Sequence, residues 1–348
     1  MTMLTVLRGR AALAAVRRTL PGRMAADPVA ALPDGLHAAI AGSGSPLPDP
    51  RCGNPCVAVI AGGRVFVVDA GEGASETLNR MQMPAQRIEA VLLTHFHSDH
   101  IGGLGSLAIQ RWAATTATAP LRVLGPPGVE RVVAGYNEAY AMDSGYRTAH
   151  HGEAILPSTG AGLTAEPFAL PESEDSRVVV QDDDLTIAAF TVDHAPAEPA
   201  VGFRFDYRGR SLVISGDTAH TQALVRASKG ADLLIHDALS RELLKLAKDA
   251  ARAAGLHERA KIFSDLPDYH ASPGEAADAA REAGVRALVL THIVPPLPMK
   301  ALEGPFLGDS AERFGGPLWI ARDGDLYSIA AGTGEVGRSG MFRRGPGG

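Results

Sequence analysis

The sequence predicts an α/β protein with a four-layer αββα sandwich, in which two β-sheets pack face to face between outer helices. Apolar strands followed by segments with helical spacing of apolar residues occur once in each half of the 348-residue chain. Neither a linker nor a repeat of fixed period separates the halves. One domain, residues 36–331, should therefore contain both sheets.

The first half begins with a predicted strand near Leu36, followed by a loop rich in Gly, Ser and Pro. Two apolar strands joined at Gly62-Gly63 come next, because paired glycines favour a tight turn. A further strand, Ile88 to Leu93, ends directly before the stretch THFHSDHIGG. The predicted helices of this half cover 74–83, 104–117 and 128–142.

The second half repeats the order of strands and then helices. It is preceded by residues 143–176, which are rich in Gly, Pro and Ser and are expected to be irregular. The predicted strands lie at 176–181, 185–194, 232–238 and 285–292, with a hairpin over 200–217 that turns at 207–210, and the predicted helices lie at 240–254 and 273–283. A closing hairpin is predicted on the turn Asp323-Gly324.

Composition excludes several classes of protein. A net charge of −6 and a pI near 6.1 leave no general excess of base for a phosphate backbone. Cys52 and Cys56 are the only cysteines, so a disulfide framework and a four-thiolate zinc site are both impossible. A local disulfide stays conceivable, but two free thiols are the favoured interpretation. The sequence does not set the oligomeric state, and a homo-oligomer stays open.

The two ends of the chain are expected to lie outside the domain. Residues 1–26 contain five arginines and no acid, and they allow an interfacial helix, an eroded export signal or a frayed tail. We favour a poorly ordered basic segment over residues 1–35 and a flexible tail over residues 332–348. No stretch approaches the roughly 20 apolar residues of a membrane span, so a cytoplasmic protein is expected. Export or membrane-surface association through residues 1–26 stays open.

The stretch THFHSDHIGG concentrates ligand-type side chains at one strand end. His95, His97, Asp99 and His100 lie within six positions. Imidazole and carboxylate are the ligands that zinc prefers when thiolate is absent. Four such donors exceed what one tetrahedral ion can use while it keeps room for water. The cluster therefore predicts two metal ions.

Further donors follow other apolar runs. His194 ends LTIAAFTVDH, Asp217 ends SLVISGD and His292 ends RALVLTH. Each is followed by loop-type residues, so all three should meet the first cluster at one edge of the sandwich. The repeated order of strand and then metal donor is the strongest functional signal in the chain.

In this combination the sequence resembles the metallo-β-lactamase superfamily. AGSGSPLPDPRCGN with VVDAGEGASETL, ADLLIHDA and YHASPGEAADAA are similar to the motifs of its ribonuclease Z-like branch. The resemblance covers residues 36–319 and implies a dinuclear hydrolase whose metal-bridging hydroxide is the nucleophile. It implies two zinc ions, with manganese or iron as alternatives. It further implies one ion held by His95, His97 and His194, a second held by Asp99, His100 and His292, and Asp217 bridging both.

The resemblance also implies an acid pair. His270 would protonate the leaving group or stabilise charge on the attacked centre, and Asp237 would hold His270 in place. Asp99 would help to orient or deprotonate the attacking water.

This sequence differs from the ribonuclease Z-like branch in a feature that bears on the substrate. Members that bind transfer RNA carry a long arm between the strand-end histidine and the G-D-T motif, whereas here only a hairpin separates His194 from Asp217. From this and the net charge we expect efficient transfer-RNA processing to be unlikely and small phosphodiesters to be the substrates. A β-lactam or lactone hydrolase, and a non-catalytic metal-binding protein, are the alternatives.

The other candidate residues have weaker signals. His236 is favoured as a packed group behind the metal ligands, and Glu72 either orients a ligand or caps a helix. His150 and His151 could contact substrate if their segment folds over the cavity. No ligand role is expected for His37, His220 and His257.

Overall fold

The computed structural model describes residues 3–170 and 176–341 and contains two β-sheets with helices outside them. The first sheet has the strand order β15-β14-β1-β2-β3-β4-β5-β6, and the second has the order β13-β12-β11-β10-β9-β8-β7. The strands are β1 Gly35–Gly42, β2 Cys56–Ala61, β3 Arg64–Val68, β4 Ile88–Leu92, β5 Leu121–Gly125, β6 Leu163–Pro167, β7 Arg177–Gln181, β8 Leu185–Thr191, β9 Val201–Tyr207, β10 Arg210–Ile214, β11 Leu233–Leu239, β12 Ala287–Val294, β13 Leu318–Ile320, β14 Asp325–Ala330 and β15 Gly337–Gly340.

Helices cover the outer faces of both sheets. Those that follow the first sheet's strands are α2 Ala74–Arg80, α3 Ser98–Ile101, α4 Leu104–Thr115 and α5 Val129–His151. Those of the second half are α6 Gln222–Ala227, α7 Arg241–Ala253, α8 His257–Asp265, α9 Pro273–Ala283, α10 Glu303–Leu307 and α11 Ser310–Phe314. An amino-terminal helix, α1, runs from Met3 to Met24. Among the described residues, no helix is both long and apolar enough to cross a bilayer.

The apolar core lies between the sheets. Phe66 of β3 and Phe205 of β9 meet there with ring centroids 6.4 Å apart, and both side chains are fully buried. Separate buried clusters join each sheet to its own helices. Removing this much apolar surface from water on both faces of each sheet is the main stabilising contribution to such a fold. The predicted four-layer sandwich is confirmed.

Strand direction determines where the functional groups gather. β3 to β6 are parallel in the first sheet, and β10 to β13 are parallel in the second. The carboxyl ends of parallel strands meet at one edge, so the loops after β4, β10 and β11 bring their side chains to the same region. His292 differs because it lies inside β12.

A β-bulge accounts for the placement of His292. The pairing of β11 with β12 shifts register between Asp237 and Ala238, which leaves His292 without a partner residue at a φ of 49°. An extra residue of this kind turns its side chain away from the direction that regular pleating would give it. The sequence predicted that the strand would end at this residue, whereas the strand continues to Val294.

Three segments differ from the predicted boundaries. Residues 143–151 continue α5, because Arg147 pairs with Asp143 one turn earlier and the helix ends only at Gly152. Residues 3–24, expected to be poorly ordered, form α1, in which alanine and leucine are frequent. Residues 337–340, expected in a flexible tail, pair with β14 as β15. Residues 342–348 of that tail lie outside the described residues.

Asp323 fixes the loop that follows β1. Its carboxylate accepts hydrogen bonds from Ser43 N (2.9 Å), Ser43 Oγ (2.9 Å) and Gly53 N (2.8 Å). The loop between these two residues forms a wall of two grooves beside the carboxyl edge of the sheets. Burial raises the pKa of Asp323, and the three donated hydrogen bonds oppose that rise.

Replacing Asp323 with alanine should lower the free energy of unfolding by about 2–4 kcal/mol, because buried donors would lose their acceptor. Denaturant titration followed by circular dichroism measures this loss. Asp309→Ala is the matched control, since Asp309 pairs with Arg313 at the surface and its removal should leave the unfolding midpoint almost unchanged. Equal effects of the two variants would contradict the role given to Asp323.

Candidate metal centre

The stretch after β4 forms the first wall of the site. His95 and His97 lie in the loop that follows the strand, whereas Asp99 and His100 lie in the first turn of α3. Asp99 and His100 are buried and His97 is exposed. The change from strand to helix within six residues lets all four side chains face one cavity.

The predicted ligands form two groups of donor atoms. Within each group the donor atoms lie within 4.8 Å of one another. In the first group, His194 Nε2 is 3.2 Å from His97 Nδ1. In the second, His292 Nε2 is 3.3 Å and His100 Nε2 is 3.6 Å from Asp99 Oδ2. The groups are His95, His97, His194 and Asp217, and Asp99, His100 and His292.

Asp217 lies between the two groups. Its Oδ2 is 3.2 Å from His100 Nε2 and 3.1 Å from His292 Nε2. The same oxygen is 3.8 Å from His194 Nε2 and 4.0 Å from His95 Nε2. A single carboxylate therefore contacts both groups, which is the geometry that a shared ligand requires.

Hydrogen bonds around the site orient the imidazole rings. His100 Nδ1 donates to Asp69 Oδ2 (2.8 Å), and His194 Nδ1 donates to the carbonyl of Tyr269 (3.0 Å). The Thr94 hydroxyl donates to Asp69 Oδ2 (2.8 Å) and is 3.1 Å from His95 Nδ1, from which it accepts. These contacts leave the Nε2 lone pair of each ring facing the cavity.

Two buried imidazole nitrogens without hydrogen-bond partners indicate that a metal ion fits the site. His95 Nε2 and His100 Nε2 are buried and have no hydrogen-bond partner among the described residues. Buried polar groups of this kind are normally satisfied, so their presence at one point needs an explanation. Neutral imidazole nitrogens facing carboxylate oxygens match the donor set of a divalent transition metal, and the residues fit such an ion.

Charge is concentrated in the cavity. Burial opposes ionisation of Asp217, but His292 and His100 hold the pKa of this carboxyl well below its usual range. Burial, followed by the proximity of His100, lowers the pKa of His95 well below its usual range. A carboxylate that stays ionised beside a neutral imidazole is the state in which both can bind a cation.

Asp69 organises this network although the sequence analysis assigned it no role. It accepts from Thr94 N (2.8 Å) as well as from the Thr94 hydroxyl and His100. Its backbone has a φ of 56°, an uncommon conformation for a residue other than glycine. The only available signal was its position at a strand end in VVDAGEG, a motif quoted above for the resemblance alone.

His270 and Asp237 form the predicted pair. His270 Nδ1 is 2.8 Å from Asp237 Oδ2, and both side chains are buried. His236 Nδ1 is 2.9 Å from the other oxygen, Asp237 Oδ1. Burial opposes ionisation of Asp237, but His236 and His270 lower the pKa of its carboxyl. The remaining nitrogen of His270 belongs to a third group of donors with Asp217 and His292.

Several weaker candidates lie outside these groups. His150 and His151 end the exposed part of α5, with ring centroids 4.7 Å apart, and their segment is helical rather than irregular. Glu72 is exposed and lines a groove beside the site. Cys52 and Cys56 are both free thiols. Tyr269, which the sequence analysis missed, lies next to His194 with ring centroids 5.1 Å apart.

Known proteins resemble this chain in sequence and in fold. A family model described as a β-lactamase superfamily domain matches residues 64–293. A protein of Mycolicibacterium gilvum named ribonuclease Z is 36% identical over 290 residues, which are 83% of this chain and 94% of that protein. The chain belongs to the metallo-β-lactamase superfamily and is a ribonuclease Z-like member of it.

Further relatives agree with that assignment. The ribonuclease Z of Mycobacterium sp. strain KMS is 37% identical over 84% of this chain and 95% of its own length. Human tRNase Z, short form, shares the fold with a TM-score of 0.59 at 22% identity, over 84% of this chain and 99% of that one. The expectations of a hydrolase, of divalent-metal binding and of a ribonuclease Z-like branch are confirmed. This ribonuclease Z-like chain is a metal-dependent hydrolase.

The expectation that efficient transfer-RNA processing is unlikely was wrong. Relatives that match more than four fifths of the chain are named ribonuclease Z. The absence of an arm between His194 and Asp217 and a net charge of −6 were insufficient reasons. Phosphate contacts depend on where cations lie on the surface, and neither a total charge nor one missing segment measures that.

Replacing Asp69 with asparagine should weaken metal binding by about 10- to 100-fold, because at least one donor facing the carboxylate would lose its acceptor. Competition with a chelator of known affinity measures the change. Asp27→Asn is the matched control, because Asp27 pairs with Arg87 away from the site. Unchanged metal affinity in Asp69→Asn would show that the ring orientations do not depend on this carboxylate.

Proposed function

We propose that this hydrolase binds two divalent ions, zinc in the first instance, and cleaves RNA phosphodiesters, with the 3′ ends of precursor transfer RNA as substrates. The single observation that carries the proposal is Asp217 Oδ2, which contacts imidazoles of both donor groups. A single ion would use only one of these groups.

The seven side chains divide into two sets. His95, His97 and His194 would hold one ion, and Asp99, His100 and His292 would hold the other, with Asp217 shared. Two bound ions would supply a water of lowered pKa as the nucleophile and would polarise the phosphoryl oxygen. Asp99 would also help to orient the attacking water.

His270 is proposed as the proton donor to the leaving oxygen. Its Nδ1 is occupied by Asp237 Oδ2 at 2.8 Å, so the Nε2 atom is the one available to a substrate. Asp237, with both oxygens contacted by imidazoles, fixes the orientation of the His270 ring. Donation at this position would make the departing ribose oxygen a neutral hydroxyl.

RNA is favoured as the substrate by the relatives and by the surroundings of the site. Mycobacterial relatives carry the name ribonuclease Z, and the human fold neighbour is named a tRNase Z. Two open grooves of about 470 and 490 Å³ lie on either side of the loop that Asp323 anchors. Arg51 and Arg80 line both grooves, and Lys300 lines the groove of about 470 Å³ together with Ile293, the residue after His292. Cations at these positions suit phosphates that flank a cleaved bond.

The direct experiment is an assay of the purified full chain, loaded with zinc, on a precursor transfer RNA with a 3′ trailer. We expect release of the trailer at physiological salt. Asp217→Ala should abolish cleavage, and Asp309→Ala, at the surface, should retain it. Hydrolysis of bis(nitrophenyl) phosphate without any cleavage of the RNA would contradict the proposed substrate.

Replacing His270 with alanine should lower turnover by about 10²–10⁴-fold, the usual contribution of a positioned acid, and leave two metal ions per chain. The loss should be smaller for nitrophenyl esters, because their leaving groups need little protonation. Elemental analysis and steady-state kinetics on the same preparation give both quantities. Loss of metal in His270→Ala would instead make His270 a ligand, together with Asp217 and His292.

A further inference from the structure

The amino-terminal segment that contains α1 is basic, whereas the rest of the molecule is acidic. Residues 1–26 carry five arginines and no acid, so the other 322 residues carry 28 basic residues against 39 acids, a formal charge of −11. A polyanion approaching the domain is repelled on average, whereas the acid-free amino-terminal segment attracts it.

The arginines of α1 are available for a partner. Arg8, Arg10, Arg17 and Arg18 are exposed, and none forms an ion pair with any residue that the structure describes. By contrast, Arg64, Arg204 and Arg313, which belong to the domain, all pair with carboxylates. The charge of α1 is therefore not neutralised within the described part of the chain.

The base of α1 is fixed to the domain. Asp27, three residues after the helix ends, accepts from Arg87 Nε (2.9 Å) and Nη2 (2.7 Å). Val29 is 3% exposed and belongs to the apolar cluster beneath the outer helices of the first sheet. The helix thus starts from a defined point on the surface and extends for about 33 Å.

That point lies far from the metal ligands. Arg87 directly precedes β4, whereas His95 follows the other end of the same strand. Five residues of extended chain separate these ends by about 16 Å. The anchored end of α1 therefore lies at the opposite end of β4 from the metal ligands.

We infer that α1 is an RNA-binding element that contacts backbone phosphates of the folded substrate outside the metal centre. The inference rests on the proposed function for the identity of the RNA. Arginine binds phosphate through paired donors and needs no base sequence, which suits recognition of a shape shared by many transfer RNAs. Because these contacts are the same in the bound substrate and in the transition state, they lower KM and leave kcat unchanged.

A membrane surface is the competing partner, and the helix fits it less well. Leu13, Val16, Leu20 and Met24 are exposed and follow one side of the second half of α1. A helix that lies in a membrane interface needs its apolar and charged residues on opposite faces along its whole length. Over the whole of α1 that segregation is weak.

The test compares three variants of the full chain. In the first, Arg8, Arg10, Arg17 and Arg18 are all replaced by glutamine; in the second, the same four are replaced by lysine. The third is a charge-matched control in which Arg177, Lys229, Arg252 and Arg259, exposed on the domain, are replaced by glutamine. The measurements are kcat and KM on precursor transfer RNA, affinity for a short RNA duplex by fluorescence anisotropy, and hydrolysis of bis(nitrophenyl) phosphate.

The α1 glutamine variant should raise KM for the RNA on the order of 10- to 100-fold at low salt and keep kcat. It should reduce the slope of log affinity for the duplex against log salt by about 3, since four phosphate contacts each contribute roughly 0.7–0.9. The lysine variant should retain most of the affinity, and hydrolysis of the small diester should be unchanged in all variants.

Three results would overturn the inference. If the α1 glutamine variant and the control glutamine variant lose the same RNA affinity, the effect is due to total charge. Unchanged duplex affinity in the α1 variant would remove the helix from RNA binding. If replacing the arginines of α1 weakens binding to phosphatidylserine vesicles but leaves the affinity for RNA unchanged, the partner of α1 is a membrane. Failure of the wild-type chain to cleave precursor transfer RNA would reject the proposed function separately, because duplex affinity is measured without cleavage.

Discussion

The carboxylate of Asp217 is the group on which the rest of the site depends. It is 3% exposed and carries a negative charge that would be unfavourable at that depth without nearby compensation. Compensation comes from imidazoles of both sheets, since His100 follows β4 of the first sheet and His292 belongs to β12 of the second. The carboxylate can be satisfied only when the sandwich is closed. Folding and site assembly are therefore one event here.

The site could be located from the sequence because its residues follow a physical regularity. Parallel strands bring their carboxyl ends together, and His95 and Asp217 each lie just after such an end. A run of apolar residues followed by a ligand-type residue is visible in one sequence. The fold class and the seven donor side chains could be predicted in this way, whereas their division into two groups and the pairing of His270 with Asp237 were expectations from the family resemblance.

Other features depend on backbone geometry that no local pattern reveals. The bulge at His292 arises from a mismatch between two strands far apart in sequence, and the positive φ of Asp69 arises from the hydrogen bonds that its carboxylate accepts. Helix α5 was predicted too short because Gly145 weakens the local signal beyond residue 142, whereas the ion pair of Asp143 with Arg147 supports the helix there. At His292 and Asp69, contacts between distant parts of the chain accompany the unusual backbone, and the pattern of single residues does not show them.

The expectation about transfer RNA was wrong because it relied on total charge, whereas the inference about α1 relies on where the charge lies. Total charge averages over a molecule, but an RNA meets only the surface that faces it, within about 10 Å at moderate salt. A chain can be acidic overall and still place its cations where phosphates come to lie. In this protein the segment that anchors α1 contacts Arg87, which precedes β4, whereas the loop that carries His95 follows the other end of that strand. An acidic chain can therefore bind phosphates with one segment and hold its reacting groups elsewhere. A long arm is one way to place cations outside the metal centre, and the anchored arginine-rich helix is the way that we propose for this chain.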